Sequence, residues 1–159
     1  MSTSDNVFLA SDESVARVAE WLAAVLDLQA VADPELKQDE RLLRGSARTS
    51  EREIGLLVAP NNYGEVDPEP DEISALDSYP IDVNLRLFGR KDERLQLRET
   101  QALLDALVAA RPEIPMLLVH NLDTLIAAHL PGVGTHTFAD LISPDAPDIE
   151  AWRPWAIGT

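Results

Sequence analysis

The 159-residue chain contains no cysteine, which removes disulfides, thiolate nucleophiles, iron–sulfur clusters and cysteine zinc sites together. Long apolar runs are missing as well. The longest, "VARVAEWLAAVLDL", is interrupted by Arg17, Glu20 and Asp27 at helical spacing, so it reads as one face of a helix and not as a membrane span. The opening "MSTSDNVFLASD" has no basic leader and only "VFLA" as an apolar stretch, too short for a signal peptide. A cytoplasmic location is the expectation from these absences. Positive charge is scarce: 13 basic against 28 acidic residues give a net charge of −15, and no Lys or Arg falls between Arg111 and Arg153. Such a balance repels nucleic-acid phosphates and anionic lipids and favours a basic protein partner. Neither a nucleic acid nor a membrane is expected to bind.

Catalytic and nucleotide signatures are also lacking. "PGVG" carries glycines but neither GK[ST] nor G-x-G-x-x-G after a strand, so it reads as a turn. Ser46, Ser50, Ser74 and Ser78 lie outside any G-x-S-x-G elbow. Three histidines, His120, His129 and His136, lack the spacing of a metalloprotease helix, and each reads first as a residue with a local hydrogen bond. An enzyme would have to use His136 or His129 with an acid such as Asp140 or Asp123. The expectation is no enzyme and no cofactor.

What is present suits one domain. Apolar residues at 45% and charged residues at 26% match ordinary globular usage, and this length buries roughly two thirds of the unfolded surface. "NVFLA" reads as a strand, followed by a helix over 12–28 capped by Ser11, with Asp12 and Glu13 in its first turn. Strands are expected at 41–48, 53–59 and 115–120, with "VADPELKQDE" as a connection. "IDVNLRLF" alternates cleanly and should turn Asp82, Asn84 and Arg86 to water. A second long helix starts near Asp92 and stops at Pro112, while "LDTLIAAHL" reads as a short helix capped by Asn121. The fold class that follows is α+β: a single domain over 1–159, a mainly antiparallel sheet with two principal helices on one face.

Acid is concentrated in two places. The loop over 65–78 carries Glu65, Asp67, Glu69, Asp71, Glu72 and Asp77, and the tail over 143–159, expected to be irregular, carries Asp145 and Asp148. A calcium loop is disfavoured, because Pro68 and Pro70 stiffen the chain and no glycine supplies the sharp turn. The loop is either a solvated connection or a surface that faces a basic partner. Trp152 and Trp155 in "AWRPWA" either anchor the tail or form a binding hot spot. Those ten residues are the candidate partner-binding set.

"FLASDESVARVAEWLAAVLDL", "EREIGLLVAPNNY" and the long stretch from "YPIDVNLRLFGRKDERLQL" to "VHNLDTLIAAHLPG" together resemble small acidic bacterial immunity proteins of polymorphic toxin systems. The resemblance lies in element order and composition. It implies a cytoplasmic protein that binds one cognate toxin domain, often a basic nuclease, and occludes its active site. No site residue is carried over by it. The alternative is an acidic secretion chaperone, small, α+β and usually dimeric.

Overall fold

In the computed structural model, which describes residues 4–63 and 69–157, eight strands form one antiparallel sheet. They are β1 (Asp5–Leu9), β2 (Gln29–Val31), β3 (Arg41–Ser46), β4 (Glu53–Pro60), β5 (Ile81–Leu87), β6 (Met116–His120), β7 (Thr124–Leu130) and β8 (Gly134–Ile142). Their spatial order is β2-β3-β4-β5-β1-β6-β7-β8. The first strand therefore lies at the centre, paired with β5 through Val7 and Val83 and with β6 through Val7 and Leu118. Every residue of β1 is buried, because both of its edges and both of its faces are covered.

Helices α1 (Val15–Leu26) and α2 (Glu93–Ala110) pack on one face of the sheet, as the sequence leads one to expect. Val18, Leu22 and Leu26 of α1 and Leu103, Leu104 and Leu107 of α2 meet Val7, Leu56, Val83 and Leu118 in the main core. Burying side chains of this kind is worth about 1.5–3 kcal/mol each, an upper figure because unfolded chains already hide part of that surface. The cap of α1 is Ser14, not Ser11: its hydroxyl accepts from the Arg17 amide at 3.2 Å. Asp12 and Glu13 consequently precede the helix. Ser11 is buried and takes the Glu13 amide at 3.1 Å, so its hydroxyl closes a turn before the helix. Asp92 caps α2 as anticipated, accepting from Leu95 at 3.0 Å.

A buried carboxylate on α2 holds the β3–β4 turn. Glu99, fully buried, accepts from the Arg48 amide at 2.8 Å, the Thr49 amide at 2.9 Å and the Thr49 hydroxyl at 2.7 Å. Asp5 does the same work at the start of β1, taking Thr100 and Gln96 at 3.2 Å each and bonding His120 Nδ1 at 2.5 Å. Buried carboxylates persist only when so satisfied.

"LDTLIAAHL" is not a helix but the end of a turn followed by strand β7. β6 and β7 form a hairpin whose two turn residues, Asn121 and Leu122, both have positive φ, at 53° and 60°. That is the geometry that matches the twist of paired strands. "PGVG" is again a turn, but it joins β7 to β8, with Gly132 at φ 76° and Gly134 at φ 113°. Two further strands, β2 and β8, lie in segments without clean alternation.

The second face of the sheet is covered over one half only. Residues 73–79 cross it, placing Ala75, Leu76 and Tyr79 against Phe8, Leu117 and Val119, and the tail adds Trp152. The tail is not irregular: short turns of 3-10 helix at Ala146–Asp148 and Arg153–Trp155 flank α3 (Ile149–Trp152). This cover also corrects the expectation of a wet face on β5. Asn84 is half-buried and Arg86 exposed, but Asp82 is buried and accepts from Asn6 Nδ2 at 2.6 Å.

Candidate functional site: an acidic cleft on the second face

The two acidic segments, far apart in sequence, meet in space. The Ala75 amide donates to the Pro144 carbonyl at 2.7 Å, and Ser74 bridges to Asp145 in antiparallel register. Around this junction Tyr63, Glu72, Asp77, Leu122 and Asp145 line a cleft of about 230 Å³. Three of the candidate partner-binding residues thus face one space. Glu69 and Asp71 are exposed on the adjoining turn, whereas Glu65 and Asp67 lie outside the described residues.

Several of these carboxylates also shape the backbone. Asp77 Oδ2 accepts from the Ser74 amide at 2.9 Å, and Asp148 Oδ2 from the Ser143 amide at 2.7 Å. Glu72 Oε2 accepts from the Glu69 amide at 3.4 Å. Side-chain oxygens of this kind stabilise turns that regular pairing does not reach. The other oxygen of Asp77 is shut off from water and has no hydrogen-bond partner among the described residues. An unpaired buried acceptor costs about 1–3 kcal/mol.

The tryptophans divide. Trp152 is fully buried and its Nε1 donates to the Asp145 carbonyl at 3.0 Å. It belongs to the core under the cleft and presents no surface to a partner, which corrects its place in the candidate set. Trp155 is half-buried and stacks on His136, ring centroids 4.2 Å apart and planes 3° from parallel. Phe138 meets the same imidazole edge-on at 4.9 Å. His136 therefore ties the tail to β8. His129, also buried, has both ring nitrogens occupied, Nε2 by the Pro112 carbonyl at 2.9 Å and Nδ1 by Thr135 at 3.3 Å. Among the described residues no group of three His, Asp or Glu side chains is placed to hold a metal ion.

Two residues of the cleft escape a reading by motif. Tyr63 is 50% exposed, with its ring edge-on to Phe8 at 6.2 Å. Partial burial and the nearby Asp82 push its phenol pKa upward, so it stays a neutral donor at the cleft mouth. Burial drives the pKa of Asp82 up to about 6, against a smaller lowering by the Asn6 hydrogen bond. Leu122 holds a left-handed backbone that costs a non-glycine residue roughly 1 kcal/mol or more. Only the "PNNYG" turn residues hinted at Tyr63, and nothing in the sequence marked Leu122. No family model, curated protein or solved structure matches this chain.

Proposed function

We propose that this chain is an acidic binding protein that captures a basic protein partner through the cleft between residues 72–77 and 144–145. The reading goes further to a cognate toxin domain whose active site the bound chain occludes, in the cytoplasm, without catalysis of its own. The observation that carries it is the convergence of two acidic segments on one cleft, where Glu72, Asp77 and Asp145 stand beside the exposed ring of Tyr63. Like charges gathered in one place repel, and a basic surface relieves that cost while drawing the pair together. Tyrosine beside them suits an anchor, since its apolar ring and polar tip both find use at interfaces. The immunity-protein resemblance supports the same assignment.

The test is to isolate the partner with the wild-type chain and then follow association of the purified pair by stopped flow at low and high salt. Replacing Glu72→Gln, Asp77→Asn and Asp145→Asn together should slow association about tenfold at low salt and weaken its salt dependence. Equal rates for wild type and variant would refute the cleft as the docking surface. One observation favours the secretion chaperone instead. The uncovered half of the second face holds a groove of about 440 Å³ floored by Leu42, Leu57 and Phe88, a shape suited to an extended client. A stable dimer by light scattering, with client protection of that groove, would move the assignment there.

A further inference from the structure

Basic residues gather away from the acidic cleft. Arg52 from the β3–β4 turn, Arg86 from β5, and Arg90 and Lys91 from the β5–α2 link line one cleft of about 160 Å³. These are four of only 13 basic residues in the chain. Arg86, Arg90 and Lys91 are exposed, while Arg52 is half-buried and its guanidinium donates to the Arg90 carbonyl at 2.6 Å. Gly89 shapes the link: at φ 104° it turns the chain back in a conformation that other residues rarely adopt, and it lies against the Arg52 side chain. The only acid in the lining is Asp92, and its carboxylate is already committed to the Leu95 amide at 3.0 Å. Asp92 keeps its charge while it caps α2, so the cleft holds four cations against one carboxylate.

In a molecule of net charge −15, an anion approaching from solution is repelled on average. Screening limits that repulsion to about 8 Å at physiological ionic strength, so a local group of four cations still attracts at close range. Guanidinium groups offer planar, paired donors that match the oxygens of a phosphate; one Arg52 nitrogen is held by the Arg90 carbonyl, which leaves Arg86 and Arg90 as the main donors. We propose that this cleft binds a phosphate group, either as the free dianion or as a phosphomonoester. The site is separate from the acidic cleft, and its fate does not depend on the partner reading.

The experiment is an amide NMR titration of the full chain at constant ionic strength, first with inorganic phosphate and then with phosphoserine. Saturable shifts confined to residues 50–52 and 86–96 are expected. Arg86→Ala with Arg90→Ala should weaken binding about tenfold or more, the loss expected for charge-assisted hydrogen bonds, in a chain whose remaining spectrum stays folded. Glu72→Gln with Asp77→Asn should leave phosphate binding unchanged. Tighter binding of phosphoserine would assign the site to an ester, and equal binding would assign it to the free anion. Shifts that never saturate, or that persist unchanged in the double arginine variant, would overturn the proposal.

Discussion

The two faces of the sheet are covered in different ways. On one, α1 and α2 bury an apolar core, and the polar groups sunk into it, Glu99 and Asp5, are met by donors on every side. On the other, an acidic connection and an acidic tail supply the cover, and only over half the area. The first face is built from regular elements whose residues do one job. In the second, the same few residues carry a core, close turns and display charge, so a change there alters stability and surface together. Each face leaves one buried polar atom without a partner among the described residues, Asp77 Oδ1 on the second and Trp21 Nε1 on the first, but only Asp77 also caps a turn with its other oxygen.

Several substitutions would sharpen or break this contrast. Trp152→Ala should cost the most, about 3–5 kcal/mol, as for other large buried aromatics. Urea denaturation would measure it, and a loss below about 1 kcal/mol would make the tail an appendage and not a cover. Glu99→Ala should cost about 2–3 kcal/mol by removing the acceptor of two partly buried amides of the β3–β4 turn. Exchange of the Arg48 and Thr49 amides would accelerate if that account holds.

Asp82→Asn should act in the opposite direction. Because its folded pKa of about 6 stands above the ordinary 3.8, the unfolded chain gives up this proton first as pH rises. Stability from this group is thus lost between those two values and stays lost above them, by at most about 3 kcal/mol. Asparagine keeps an acceptor for Asn6 and carries no charge. The variant should match wild type near pH 4 and exceed it by a growing margin up to pH 7 in parallel denaturation series; a constant difference would contradict the assignment. Leu122→Gly should be smaller still, within about 1 kcal/mol of wild type, as release of the left-handed strain offsets the lost packing against the second core and the greater freedom of glycine in the unfolded chain. Its thermal midpoint is the readout.

Much of the first face was legible in the sequence. The three-and-four spacing through Val18, Ala19, Leu22 and Leu26 and the alternation through Ile81, Val83 and Leu85 are periodicities of elements that bury one side. "TLIAAHL" failed because alanine and leucine favour helices locally, whereas pairing with β6 and β8 fixes it as a strand. Its hairpin was hidden too, since Leu122 stands where a glycine would have announced the turn. In the candidate site the acidic residues could be read from composition, but their meeting through Ser74 and Asp145 is a long-range contact. Trp152 and Trp155 illustrate the same limit: separated in sequence by Arg153 and Pro154 alone, they end in the core and beside His136 respectively.

The central place of β1 bears on how the chain is made. Asp5 pairs with Leu85 on one side and with His120 on the other, so neither neighbour exists when the strand leaves the ribosome. At 5–20 residues per second, on the order of ten seconds pass before β6 has been synthesised. Throughout that interval "DNVFL" lacks a partner on at least one edge, and the sheet closes around it only once β6 has been made. Dominance by such distant pairings places folding toward the slow end for a domain of this size.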